Sequence, residues 1–129
     1  HVVLEAVHCT VAIRRRGPRV VVLEISGHDV GELGERPHQA LDEILPPEGA
    51  ELFIDARNAL GPSLGVSAAW AHWLRARRER LTRVNMLTGS RFVQLTADFV
   101  KRFAELGETM RIYTDAAAFD EALAHASAG

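Results

Sequence analysis

The residues from Glu51 to Leu74, ELFIDARNALGPSLGVSAAWAHWL, contain the clearest structural pattern in the chain. They begin with a short apolar run, Leu52 to Ile54, which predicts a buried strand. A loop rich in Gly and Pro follows, and an amphipathic run typical of a helix begins near Ser67. A buried strand followed by a loop and a helix is the unit of parallel sheets, because the helix covers one face of the strand. This stretch therefore predicts an α/β domain.

Size and composition favour one small globular domain over residues 1–129, with 1–6 and 125–129 expected to be loosely ordered. The net charge of −2 argues against a nucleic-acid partner. No apolar run approaches the ~20 residues that a membrane span needs. Cys9 is the only cysteine, which excludes an internal disulfide, and no pattern typical of a signal peptide is present. We therefore expect a cytoplasmic location.

The residues before the central stretch predict a hairpin and a helix. Apolar and polar residues alternate over 7–15, and the β-branched run Val20 to Ile25 follows a Gly-Pro turn, which predicts two antiparallel strands. A helix is predicted between residues 32 and 45. Its start is expected near Arg36, because Pro37 is tolerated only in the first turn.

The residues after the loop continue the alternation of helices and strands. A second helix is predicted over about 66–80, a strand over 83–88, a third helix from Ser90, a strand over 109–113 and a final helix after Asp115. The core stripe expected for the third helix, widened by Val93 and Val100, is Phe92, Leu95, Phe99, Phe103 and Leu106. The predicted order is β-β-α-β-α-β-α-β-α, a mostly parallel five-stranded sheet with one antiparallel strand.

Four phrases carry a resemblance to a known family: residues 53–56 (FIDA), 61–65 (GPSLG), 88–92 (TGSRF) and 113–115 (YTD). With the order of elements, they resemble the STAS fold of bacterial anti-sigma-factor antagonists and sulfate-transporter domains. The chain is most similar to the SpoIIAA-like branch of stand-alone domains. The resemblance covers almost the whole chain, and it implies a regulatory, protein-binding role.

The resemblance also implies one modification site. STAS antagonists are phosphorylated on a serine in an Asp-Ser-Ser-Gly or Asp-Ser-Thr-Gly loop, and the matching residues here are Pro62, Ser63, Leu64 and Gly65. The serine and the glycine are kept, while Pro62 replaces the acid. Ser63 is therefore the phospho-acceptor candidate. The alternative is that Ser63 is an ordinary turn residue, with Ser67 competing as the N-cap of the second helix.

The loops that follow parallel strands meet at one edge of a sheet, where ligands usually bind. Helix N-termini there present free N–H groups and partial positive charge, so Gly89, Ser90 and Arg91 are the candidate anion-binding residues. The alternative is that Ser90 only caps its helix and Arg91 is solvated.

The second helix carries two tryptophans and several arginines, and fourteen of the fifteen basic residues of the chain are arginine. Trp and Arg are enriched in protein interfaces, so Trp70, Arg77 and Arg78 are predicted to bind a partner. The alternative is that Trp70 and Trp73 both fill the core and that the arginines form a solvated face.

No pairing of a nucleophile with a base and no metal-binding spacing is evident, and His28-Asp29 is interpreted as a turn and cap. We therefore expect a non-enzymatic domain without cofactor or metal, which binds a protein or forms a homodimer through the second helix and the loop before it. The alternative function is binding of a small anionic or lipid-like ligand, at the strand-end edge or between helix and sheet.

Overall fold

A computed structural model of the protein describes residues 1–128, which form one six-stranded sheet and four helices. The strands are β1 (Val2–Glu5), β2 (Cys9–Gly17), β3 (Val20–Gly27), β4 (Ala50–Ala59), β5 (Leu81–Thr88) and β6 (Met110–Tyr113). The helices are α1 (Arg36–Ile44), α2 (Leu64–Ala76), α3 (Arg91–Phe103) and α4 (Ala116–Ala128). Single 3-10 turns at Arg78–Arg80 and Gly107–Thr109 lead into β5 and β6.

The strands lie in the sheet in the order in which they occur in the chain. β1, β2 and β3 pair antiparallel, and β3, β4, β5 and β6 pair parallel. The predicted α/β architecture and the predicted hairpin of the second and third strands are therefore confirmed. The prediction of five strands omitted β1.

Both chain ends are more ordered than expected. Residues 1–6 were expected to be loose, but Val2–Glu5 pair with β2 from Val2 opposite Ile13 to Glu5 opposite Thr10. This pairing satisfies backbone groups that an unpaired β2 edge would expose. Helix α4 continues through Ala128 rather than fraying from residue 125, and Gly129 lies outside the described residues.

The two faces of the sheet are covered unequally. Helices α1, α2 and α3 pack on one face, where Leu41, Leu74 and Ala97 join Leu23 and Ile54 in the larger core. Helix α4 covers the other face through side chains that surround Phe53, and the smaller core there is Val20, Val22, Phe53, Leu87, Tyr113, Phe119 and Leu123. The alternation of side chains along β4 explains why consecutive residues enter different cores.

Of three helix boundaries compared with the sequence prediction, one agrees and two differ. Helix α1 begins at Arg36 with Pro37 in its first turn, as predicted. Helix α2 begins at Leu64, two residues earlier than predicted. It ends at Ala76 rather than residue 80, because the chain there tightens into a 3-10 turn before β5.

Helix α3 is oriented differently from the prediction. The side that packs on the sheet carries Val93, Ala97, Val100 and Ala104, all buried. The expected core stripe instead faces outward, with exposed fractions between 39% and 56% for its members Phe92, Leu95, Phe99 and Phe103. Two neighbouring sides of α3 are apolar, and the side with smaller residues allows the helix to lie closer to the sheet. Leu106, just beyond the helix, is buried as expected.

Candidate functional site

The loop between β4 and α2 is held in place by the loop after β3. The Ser63 N–H donates to the Asp29 carbonyl at 2.9 Å, and His28 Nδ1 lies 2.6 Å from the Gly61 carbonyl oxygen, to which it donates. The Asp29 carboxylate accepts from the Gly31 N–H at 3.0 Å, so Asp29 forms a local turn rather than a helix cap. The strand-end loops therefore meet at one edge, as the parallel topology predicts.

Ser63 is the N-cap of α2. Its hydroxyl oxygen accepts from the Val66 N–H at 3.3 Å, which satisfies one of the free amides of the first turn. Ser67, the competing candidate, is buried, and its hydroxyl donates to the Ser63 carbonyl at 3.0 Å. Ser63 itself is half-buried. Its phosphorylation stays a prediction.

Six large apolar side chains form what we call the loop–α3 surface: Leu60, Leu64, Phe92, Leu95, Phe99 and Phe103. Leu60 and Leu64, from the loop and the start of α2, are 71% and 92% exposed. Phe99 and Phe103 contact each other with ring centroids 5.8 Å apart, and Phe103 contacts His72 of α2 edge-on at 5.3 Å. The surface therefore extends from the loop along the outer side of α3 to α2.

Gly61 joins the two parts of this surface. The ring of Phe92 packs on Gly61, and a Cβ atom at that position would overlap with the ring. Gly61 also has a φ of 116°, a left-handed conformation that favours glycine. The loop can therefore lie against α3 only because residue 61 has no side chain.

Of the predicted partner-binding residues, Trp70 lies in α2, Arg77 is its C-cap and Arg78 lies in the following 3-10 turn; all three make contacts within the domain. The Arg77 guanidinium pairs with the Asp42 carboxylate and lies 4.8 Å from the centroid of the Trp73 ring. Arg78 lies 3.3 Å from Glu105, which also pairs with Arg75 at 2.8 Å. Trp70 is half-buried in an edge-on contact with Trp73. Their role in partner binding stays a prediction.

His38 of α1 completes the cluster around the tryptophans. Its ring stacks on Trp73 with centroids 5.8 Å apart and meets Trp70 edge-on at 4.4 Å. Burial lowers the pKa of His38 below its ordinary value, and the positive charge of Arg77 lowers it further. The neutral imidazole is therefore the form that this cluster favours.

The candidate anion-binding residues lie where β5 passes into α3. Ser90 is the N-cap of α3, and its hydroxyl oxygen accepts from the Val93 N–H at 3.2 Å. Arg91 is exposed, with its guanidinium 3.4 Å from the side-chain oxygen of Gln94. Gly89 packs so closely on the Arg57 backbone that a Cβ atom would overlap with it. Anion binding by these residues stays a prediction.

One ionic cluster was not found by sequence reasoning. Arg57 Nε donates to both carboxylate oxygens of Asp55 at 3.0 and 3.1 Å, and Nη2 donates to Asp120 of α4 at 2.5 Å. The hydrogen bonds that Arg57 donates to the carboxylates of Asp120 and Asp55 raise the pKa of Arg57. The spacing of Asp55 and Arg57 along a strand places them on one face, but no pattern marks Asp120, 63 residues away.

Other chemistry-bearing groups are buried or dispersed. Cys9 is buried, and burial raises the pKa of its thiol, with the charges of Asp29 and Glu32 adding to the effect. Within residues 1–128, no group of three or more His, Cys, Asp or Glu side chains is arranged to hold a metal ion. In the same range, no helix is both long enough and apolar enough to cross a membrane.

Comparison with known proteins tests the fold. No protein-family model matches the chain, and no curated protein does. Among solved structures, the chain is similar to an uncharacterised protein of the DUF3478 family from Shewanella loihica PV-4, described as having a SpoIIAA-like fold. The two superpose with a TM-score of 0.66 over 93% of this chain and 98% of that one, at 14% sequence identity. The chain therefore has the SpoIIAA-like α/β fold that its sequence resembles.

Proposed function

We propose that this chain is a non-enzymatic, STAS-type regulatory domain that binds a partner protein through the loop after β4, helix α2 and the adjoining side of α3. The observation that carries the proposal is the loop–α3 surface. Its six large apolar side chains, three of them phenylalanines, are between 39% and 92% exposed. Contiguous apolar patches of this kind usually mark interaction sites, and aromatic residues are enriched in interface cores.

Helix α2 supplies the polar border of the proposed interface. His72 contacts Phe103, and Arg75 and Arg78 pair with Glu105 beyond the C-terminal end of the phenylalanine stripe. An apolar centre with charged groups at its edge is the usual organisation of a protein interface. Because these arginines are already paired, we expect the apolar side chains to contribute most of the affinity.

The non-enzymatic part of the proposal is supported by how the potential nucleophiles are used. The hydroxyls of Ser63 and Ser90 cap helices, and the Cys9 thiol is buried with a raised pKa. The two hydroxyls are therefore engaged in helix caps, and the thiol lies in the core.

Ser63 lies within the proposed interface, next to the exposed Leu64, and a phosphate there would add a charge of about −1.5 to −2. Such a charge would weaken an apolar contact, and it would be stabilised by the N-terminus of α2. Incubating the protein with lysate of its own cells and ATP should add one phosphate to the wild type, measured by intact mass, and none to Ser63→Ala. Equal labelling of both would place the modification elsewhere and remove Ser63 from the proposal.

The interface is tested by quantitative affinity purification from the cells that make the protein, comparing Leu64→Asp and Phe99→Asp with Ala124→Asp. Ala124 is exposed on α4, across the sheet from the loop–α3 surface, so this variant has the same change of charge outside the proposed interface. We expect both test variants to lose one protein at least tenfold while the control retains it. Equal recovery by all three folded variants would contradict the proposal.

A further inference from the structure

A partly open apolar cavity of about 60 Å³ lies between helices α2 and α3 and the sheet. Strands β3, β4 and β5 contribute Ile25, Ile54 and Met86 to its wall, and the helices contribute Trp70, Val93 and Ala97. The loop residues Gly61 and Pro62 line its end at the strand-end edge.

The cavity follows from the orientation of α3. The helix places the large side chains of Phe92, Leu95 and Phe99 outside, and its residues that line this space are Val93, the half-buried Thr96, Ala97 and Val100. Ala56 lines the same space from β4. Small residues on both sides leave a volume that close packing would otherwise remove. Apolar cavities of this kind stay dry and bind apolar molecules, because water inside them finds no hydrogen-bond partners.

The two buried polar side chains in the wall do not change this character. The Asp29 carboxylate accepts from the Gly31 N–H, and the Ser67 hydroxyl donates to the Ser63 carbonyl. A ligand in the cavity therefore meets hydrocarbon groups on nearly every side. At about 60 Å³ the cavity is well below the roughly 150 Å³ of an engineered apolar cavity that binds benzene, so it has room for only a few non-hydrogen atoms.

We propose that this cavity binds a compact hydrocarbon group of a few carbon atoms, such as the end of an alkyl chain. The ligand is either a free small apolar molecule or the tail of a lipid whose remainder leaves past Gly61 and Pro62. This inference goes beyond the proposed function and does not depend on it, because the cavity lies beneath α3 and the loop–α3 surface lies outside.

The chain provides two internal reporters for a test. Its only two methionines, Met86 and Met110, both line the cavity. We suggest labelling the methionine methyl groups with ¹³C and titrating the protein with xenon and, separately, with 1-decanol. We expect saturable shifts of both methyl signals with at least one of these probes. A response to xenon alone identifies a site for free compact molecules, and a response to 1-decanol identifies a site that also accepts a chain end.

Ala97→Leu fills the cavity from α3, and we expect it to weaken binding at least tenfold. Ala69→Leu, at an exposed position of α2, is the matched control and should bind like the wild type. If Ala97→Leu does not fold, Ala59→Leu narrows the same cavity from the half-buried end of β4. The proposal is overturned if neither probe shifts the methyl signals of the wild type, or if the folded cavity-filling variant binds as well as the control.

Discussion

The aromatic ring of Phe92 lies directly on the backbone of Gly61, where no side chain would fit. Gly61 and Phe92 are 31 residues apart in the sequence, yet at this contact the loop after β4 and helix α3 join in one apolar surface. The loop is held from its other side by the hydrogen bonds of His28 and Asp29. The contact therefore keeps Leu60 and Leu64 beside the phenylalanines.

The contact makes Gly61→Ala destabilising. The new Cβ overlaps with the ring and the backbone has a φ of 116°, so we expect a loss of about 1–3 kcal/mol in the free energy of unfolding, measured by denaturant titration. In the Phe92→Ala background the same change should cost less, because the overlap with the ring is gone and only the strain of the left-handed backbone at residue 61 remains. An equal cost in both backgrounds would show that the ring does not constrain residue 61.

The N-cap role of Ser63 predicts a second effect on stability. Ser63→Ala should reduce the free energy of unfolding by about 1 kcal/mol, because the Val66 N–H loses its partner. Ser63→Asp should retain most of the stability, since a carboxylate caps equally well and lies at the positive end of the helix. Greater stability of Ser63→Ala than of Ser63→Asp in the same denaturant titration would contradict the cap.

The orientation of α3 is tested by two neighbouring residues. Val100 is 7% exposed and Phe99 is 45% exposed. Val100→Ala should therefore cost about 1–3 kcal/mol through lost burial and the cavity it leaves, while Phe99→Ala should cost under about 1 kcal/mol although it removes more atoms. The reverse order in thermal or chemical unfolding would mean that α3 packs with its phenylalanines inward.

The ionic cluster on the other face links β4 to α4. A double-mutant cycle of Arg57→Ala and Asp120→Ala should give a coupling of about 0.5–1 kcal/mol, because the pair has good geometry but is partly exposed. The coupling should fall at high salt, since solvent-exposed charges are screened. A coupling near zero at low salt would assign the pair no role in holding α4.

His38 predicts a specific pH dependence. Its pKa is lowered in the folded state, so below its ordinary value of about 6.5 the unfolded chain binds more protons than the native one. The free energy of unfolding should therefore rise as the pH increases through this range. The stabilisation that comes from His38 is fully present above its unfolded-state pKa. His38→Gln should show a shallower slope in unfolding experiments between pH 5 and 7. An unchanged slope would assign the dependence to other groups.

The sequence predicts the order of elements because each is encoded locally. The run Leu52–Ile54, Pro37 in the first turn of α1, and Ser90 before α3 all predict their elements from short patterns. Strand β1 was missed because it is stabilised by its pairing with β2, and a four-residue strand has little sequence signal of its own. The predicted orientation of α3 was wrong. Periodicity shows which sides of a helix are apolar, but it does not decide which of two apolar sides faces the sheet.

The candidate site is less predictable for the same reason. Ser63 was singled out through the resemblance to the STAS phosphorylation loop, and the sequence left Ser67 as a competing N-cap, which the structure decides in favour of Ser63. The contacts of Phe92 with Gly61 and of Arg57 with Asp120 depend on tertiary placement, which no local pattern contains. Likewise, the partners that neutralise Arg77 and Arg78 come from distant segments, so the arginines of α2 resemble a free basic face only in sequence.

The most direct measurement is photo-crosslinking in the cells that make the protein. A photoreactive amino acid is placed singly at Leu64 or Phe99 within the loop–α3 surface, and at Ala124 on α4 as the control. We expect the first two positions to form the same discrete adduct, with one partner protein or a second copy of the chain, and the control position to form none. Adducts at Ala124 with none at Leu64 and Phe99 would contradict a partner-binding surface at this loop and helix.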